Sequence, residues 1–144
     1  GSAIEHAGDI SASLWNNERG MSIERFVAEL SKCFGISTFI AGQVAADLTY
    51  TGMDVEDLYT FAPIGPGSSR GLNYLNGNAP FATWKQKDFN AQLSNIFAHV
   101  VDQLEIVDLT LHDIQNCMCE YSKYCRAVLG EGKPKTTYKA ETEF

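Results

Sequence analysis

Between Phe61 and Leu72 the chain reads Phe-Ala-Pro-Ile-Gly-Pro-Gly-Ser-Ser-Arg-Gly-Leu, and no other stretch limits the possible folds as strongly. Proline and glycine at this density break a regular helix or a central strand. Proline removes a backbone donor and fixes φ, while glycine permits positive φ and close backbone approach. The segment therefore reads as an apolar lead-in, a tight turn, and small hydroxylated residues that open a new helix with Ser68 or Ser69 as its N-cap.

On either side of this break the pattern is helical. No run of alternating apolar and polar residues suggests a strand, so the fold class is all-α. A first, weaker helix is expected over Ile4–Asn17. Ser22 is a good N-cap for a second, with Phe26, Val27, Leu30 and Phe34 at helical spacing and Gly35 as its stop. Ser37 or Thr38 opens a third, through Phe39, Ile40, Val44, Ala45 and Leu48, with Gly52 closing the region. Asp54 is placed to cap a short helix, Val55–Tyr59, ahead of the turn, and a second short helix follows over Ser69–Leu75. Residues 76–80 (Asn-Gly-Asn-Ala-Pro) read as a loop. Asp88 suits the N-cap of a long helix through Leu93, Ile96, Phe97, Val100, Val101 and Leu104, and a last helix is expected from Val107 to Leu129, ended by Gly130. A short helix, a Pro/Gly turn and another short helix make a helix-hairpin-helix element. That is a device for holding a nucleic-acid backbone through exposed helix N–H groups rather than by reading sequence.

Size and composition bound the rest. The chain has 144 residues, 44% hydrophobic and 20% charged, enough for one domain with its own core. Gly1-Ser2 reads as a cloning scar, residues 3–130 as a single helical domain, and 131–144 as a polar tail. The start at Ala3 in mid-pattern reads as that of a fragment of a longer protein. The net charge of −7 argues against a general nucleic-acid-binding surface. Lys123, Arg126, Lys133, Lys135 and Lys139 nevertheless gather towards the C-terminus, so a local basic stripe on an acidic body remains open. No apolar run approaches the ~18 residues of a membrane span, and no leader pattern is seen, so the reading is of an intracellular protein, cytoplasmic or nuclear, without membrane contact. Cys33, Cys117, Cys119 and Cys125 form no CxxC pair and read as reduced core thiols rather than a zinc site. His6, His99 and His112 fall on separate helices without metal-ligand spacing, and no metal or cofactor is expected. His112 reads as a surface residue.

The last helix carries a second signal. At about 100° per residue, Leu111, Ile114, Cys117, Met118, Tyr121, Cys125, Val128 and Leu129 fall on one side. Gln115, Asn116, Cys119, Glu120, Lys123 and Arg126 fall within about 140° on the other. By pattern this is a solvated face. By composition it offers carboxamides, a carboxylate and two cations, a set able to hold a base edge, a phosphate and a general acid or base. Cys119 shares the arc, but three neighbouring cysteines read more readily as small apolar packing than as nucleophiles. Gln43 and Asp47 make an i,i+4 pair on an earlier helix, and convergence of that pair, the Pro/Gly turn and the last helix on one cleft is the expectation. Trp15, Trp84 and Tyr74 are aromatics able to stack a base, although packing is the usual role of such rings.

Three segments together carry a resemblance: Gly42-Gln43-Val44-Ala45-Ala46-Asp47-Leu48, Pro63 to Leu72, and Gln115-Asn116-Cys117-Met118-Cys119-Glu120-Tyr121-Ser122-Lys123-Tyr124. In this order the chain resembles the alpha-glutamyl/putrescinyl-thymine pyrophosphorylase group, whose relatives include the helical domain linked with 5-hydroxymethyluracil DNA kinases and amino-acid:DNA transferases, over roughly residues 20 to 138. The resemblance implies a DNA-glycosylase-like helical fold and a part in thymine hypermodification, with an amine or amino acid displacing a phosphorylated group on 5-hydroxymethyluracil in DNA. It makes Glu120, Lys123, Asp47 and Arg70 candidate catalytic residues, and Gln43, Gly65, Gly67, Ser68, Gln115 and Asn116 candidate DNA or base contacts. Arg70 and Lys123 can stabilise a departing phosphate, Glu120 or Asp47 can deprotonate the amine, and Gln115 or Asn116 can read an extruded pyrimidine. A non-catalytic docking domain that positions a fused kinase or transferase, or a protein-interaction domain, are the alternatives. No lysine lies in Gly65–Ser69, where lyase-type glycosylases place one, so base modification is expected rather than excision; for the same reason, the segment is not a Walker loop.

Overall fold

Capped helix starts organise the chain. The computed structural model describes residues 7–14, 20–104 and 108–132. Among these lie α1 (Ala7–Leu14), α2 (Ile23–Leu30), α3 (Thr38–Thr49), α4 (Pro66–Leu75), α5 (Gln86–Leu104) and α6 (Leu111–Val128). No strand occurs among the described residues, only one isolated parallel bridge between Met21 and Val55. The all-α expectation holds. Ser22, Ser37 and Thr110 each accept the backbone N–H three residues on, and Asp113 reciprocates at Thr110 to complete a capping box.

Two apolar clusters form the core. Met21, Ile23, Phe26, Val27, Leu30, Cys33, Ala41, Ala45 and Phe61 make one, around α2 and α3. Ala62, Leu72, Phe89, Leu93, Leu111 and Ile114 make the other, where α4, α5 and α6 meet. Phe61 and Ala62 are adjacent yet belong to different clusters, so the Pro/Gly segment runs along the seam. α4 and α6 run in the same direction, since Gly65, Gly67 and Tyr74 meet Gln115, Cys119 and Glu131 in order.

Several boundaries differ from the sequence reading. α2 ends at Leu30, short of Gly35, because the Ser31 hydroxyl donates to the Val27 carbonyl at 2.6 Å and tighter i→i+3 turns follow. Gly35 still takes positive φ, +81°, in the turn beyond, and Phe34 stands 94% exposed rather than on the buried face. The expected Val55–Tyr59 helix is a series of turns. Asp54 uses its backbone carbonyl to accept from Met21 at 2.7 Å, and it is Asp57 that caps, reaching back to α2. α4 begins at Pro66 with Gly65 as N-cap, so Ser68 and Ser69 lie inside its first turn. α5 begins at Gln86, where the Lys85 carbonyl accepts from the Phe89 N–H, so Asp88 sits inside the first turn and is no cap. α6 begins at Leu111, where the Thr110 cap fixes its start. On α3 the buried face is Ala41, Gly42 and Ala45, with Ile40 and Val44 exposed; on α6 Cys117, Val128 and Leu129 are exposed. Of the four cysteines only Cys33 is a core thiol. The outer parts of the expected first helix, with His6 and Trp15, and Val107, Lys133, Lys135, Lys139 and the rest of the tail lie outside the described residues.

Candidate functional site at the junction of three helices

The Pro/Gly segment is held in place by two side chains of α5. Gln86 Nε2 donates to the Ala62 carbonyl at 2.7 Å and its Oε1 accepts from the Ile64 N–H at 3.3 Å. Asn90 Oδ1 accepts from the Ala62 N–H at 3.4 Å and from Gln86 Nε2 at 2.9 Å. These carboxamides supply what a neighbouring strand would supply, so an irregular buried backbone keeps its hydrogen bonds. On the other side the segment lies on α3, where a Cβ on Gly42 would come 2.2 Å from Pro63 Cγ.

At the start of α4, the Ser68 hydroxyl accepts from the Gly65 N–H at 3.2 Å and donates to the Gly65 carbonyl at 3.1 Å. Pro66 at the first helical position gives up no useful donor. Gln115 of α6 then donates through Nε2 to Ser68 Oγ at 3.2 Å. Gln115 is fully buried, and its Oε1 has no hydrogen-bond partner. A buried acceptor left open costs about 1–3 kcal/mol, so this atom is out of place unless something meets it. Phe39 of α3 completes the wall, since a Cβ on Gly65 would lie 2.9 Å from both its ring and Gln115 Nε2.

One helical turn from Gln115, His112 meets Gln43 of α3, with a long contact of 3.5 Å between the two Nε2 atoms. Burial pushes the His112 imidazole below its ordinary value, and the Asp113 and Asp47 carboxylates pull it partly back. A neutral ring accepts from the Gln43 amide, whereas a protonated ring would set donor against donor. His112 is thus half-buried rather than a surface residue. On the following turn, the Cys119 thiol rests on Gly67, where a Cβ would lie 2.2 Å from Sγ. His112, Gln115 and Cys119 form one stripe of α6.

Gln43, Gly65, Gly67, Ser68 and Gln115 therefore gather where α3, α4 and α6 meet. Asn116 is exposed next to them in sequence. Asp47 is exposed one turn beyond Gln43. Glu120 and Lys123 stand 70% and 67% exposed and pair with each other at 2.5 Å, and this hydrogen bond raises the Lys123 ammonium above its ordinary value. Arg70 leaves the junction for the 76–85 loop, where its guanidinium carbon sits 4.5 Å above the Phe81 ring and its buried Nε has no hydrogen-bond partner. Trp84 and Tyr74 are engaged, the first donating to Asn73 Oδ1 at 2.8 Å and the second to Glu131 at 2.5 Å. No group of three or more His, Cys, Asp or Glu side chains suited to a metal ion occurs among the described residues, and no helix among them is long and apolar enough to cross a membrane.

The sequence matches the family described as "5-hmdU DNA kinase, helical domain" over residues 16–133. The chain belongs to that family. No curated protein and no solved structure matches it. The match takes in α2 to α6 and with them the whole junction, so the context of the helical domain is the modification of thymine-type bases in DNA. Sequence reasoning missed Phe39, His112 and the contact of Cys119 with Gly67. The available signal was the 112/115/119 spacing, which sets a titratable ring, a carboxamide and a thiol on successive turns of one face.

Proposed function

We propose that the helical domain docks DNA and holds an unstacked 5-hydroxymethylated pyrimidine for a kinase centre outside this chain. The single observation behind this reading is the unmatched Oε1 of Gln115, a fully buried acceptor beside the first turn of α4 that a base meets when the junction opens. A uracil-type base presents an N3–H donor flanked by two carbonyl acceptors, and a carboxamide is its complement, accepting through Oε1 and donating through Nε2. Gln43 and a neutral His112 add further polar groups, and the N-terminus of α4 favours a nearby phosphate. The helix-hairpin-helix reading of residues 61–72 needs helices on both sides of the turn. Its support here is α4 alone, and likeness to the glycosylase fold rests on the sequence resemblance.

Displacement of a phosphorylated group by an amine within this domain is the second reading. It draws on Arg70, whose Nε–H is uncommitted. Docking is better supported, because Glu120 is neutralised by Lys123 in open solvent and Asp47 is exposed, so neither candidate carboxylate is held as a general base.

Binding of short single-stranded oligonucleotides carrying 5-hydroxymethyluracil or thymine, followed by fluorescence anisotropy, tests the proposal. Gln115→Leu keeps the bulk and removes the amide. It should weaken binding to both oligonucleotides by about tenfold, as expected for a lost hydrogen-bonding pair, while leaving thermal stability equal or higher. Unchanged affinity in that variant overturns the assignment. Release of an altered nucleoside, seen by mass spectrometry after incubation with phosphorylated substrate and an amine, would favour displacement.

A further inference from the structure

Phe81 is 78% exposed, yet the backbone on both sides of it is hydrogen-bonded to a buried side chain. Asn73, fully buried on α4, donates through Nδ2 to the carbonyls on both sides of Phe81, Pro80 at 3.2 Å and Ala82 at 2.8 Å. Its Oδ1 accepts from the Trp84 indole at 2.8 Å, its own carbonyl accepts from the Asn78 N–H at 2.8 Å, and Ala82 N–H closes a turn onto Ala79. A loop free to bury its phenyl ring would do so, since an apolar ring in water forfeits burial energy. This loop is instead fixed by a buried side chain with the ring outward. Beneath the ring lies the Arg70 guanidinium, 4.5 Å from the centroid, with an Nε–H that meets no acceptor. Phe34 and Tyr50 are also exposed, the first in the turn beyond α2 and the second as the C-cap of α3.

We infer that Phe81 and Arg70 form a stacking platform for an unpaired nucleobase, with the flanking phosphate drawn to the guanidinium. This rests on the DNA-docking reading and adds to it a second contact and a strand preference. Arg70 covers one face of the ring and leaves the other for a flat π-system. Bases in a duplex have both faces occupied, so the platform selects single-stranded or locally opened DNA. Stacking of this kind accepts any base, because each has a π-face. The charge also fits. The chain carries a net charge of −7, and the Arg70 guanidinium supplies the platform with the cation that a phosphate requires. Arg70 lies two residues along α4 from Ser68, about half a turn, so the platform stands on a different side of α4 from the junction and its contact with a base is separate from the one proposed there.

The test uses the whole 144-residue chain with an oligonucleotide containing 2-aminopurine, whose fluorescence falls on stacking. The wild-type protein should quench the single strand and bind it more tightly than the duplex. Phe81→Ala should abolish the quench and weaken single-strand binding about tenfold, with duplex binding and melting temperature unchanged because the ring buries little. Phe81→Trp should restore the quench. If Phe81→Ala binds and quenches like wild type, the platform is refuted while docking at the junction stands. If the wild-type chain binds neither strand, the docking reading falls and the platform with it.

Discussion

Replacing Gly71 by alanine probes the contact on which the junction depends. A Cβ at this position would lie 2.0 Å from the Met118 carbonyl oxygen and 2.8 Å from its carbon, whereas ordinary contact begins at 3.4 Å. The obstacle is backbone, so no rotamer change relieves it, and α4 and α6 would have to part by more than about 1 Å along their whole contact. In an unobstructed helix the same substitution would stabilise by about 1 kcal/mol, because alanine outranks glycine in helix propensity. Overpacking of a tight interior costs about 1–3 kcal/mol where side chains can adjust, and more where they cannot. The steric term wins, and Gly71→Ala should destabilise by about 2 kcal/mol net, which lowers the melting temperature by about 8 °C at roughly 4 °C per kcal/mol for a domain of this size. Circular dichroism melts measure it. Gly67→Ala is the internal control. There the obstacle is Cys119 Sγ at 2.2 Å, with the Cys119 Cβ at 3.5 Å, so Cys119→Ala should rescue Gly67→Ala and leave Gly71→Ala unrescued. A Gly71→Ala protein that melts at or above the wild-type temperature would refute the close-approach reasoning.

Two further outcomes follow from the hydrogen bonds and the buried ring. Asp57 accepts from Ser22 Oγ at 3.0 Å and from the N–H groups of Ile23 and Glu24 at 2.7 and 3.0 Å, so Asp57→Ala orphans the start of α2 and should cost about 2 kcal/mol in urea denaturation; an unchanged midpoint would contradict the capping role. His112 is held below its ordinary value by burial, so the unfolded chain binds a proton that the folded chain refuses. Stability from this source is complete above about pH 6.5 and declines as the pH falls below it. His112→Gln should flatten the urea midpoint against pH over that acid range, and an undiminished slope would show that other groups control it.

The fold was legible wherever one residue type has one local use. Ser22 before Ile23 and Ser37 before Thr38 announce helix starts because a hydroxyl three residues ahead of an N–H does the same work in any chain. Asp57 was not legible, because its acceptors are spent on donors 33 to 35 residues away. The Val55–Tyr59 segment misled for the same reason. Its local pattern suits a helix, but Met21 takes hydrogen bonds on both sides of Val55 and holds it extended. On α3 the large side chains Ile40 and Val44 face water, whereas Ala41 and Ala45 pack into the α2 cluster and Gly42 is buried under the Pro63 ring.

For the site, spacing on α6 could not distinguish its two polar edges. Gln115, Glu120 and Lys123 fall in one arc, but the close approach of α4 tilts the buried seam towards His112, Gln115 and Cys119 and leaves Glu120 and Lys123 to water. The cause is the absence of side chains at Gly67 and Gly71. With any Cβ there, α4 would stand off, Ser68 could not reach Gln115, and the arc would face solvent as its composition suggests. Gly67, read in the sequence as a candidate DNA contact, is used together with Gly71 as room for a neighbouring helix, and that packing buries the Gln115 acceptor beside the first turn of α4. The unmatched Gln115 acceptor and the tight packing of α4 on α6 are therefore one feature: parting the helices to relieve Gln115 would also undo the contact of Ser68 with it.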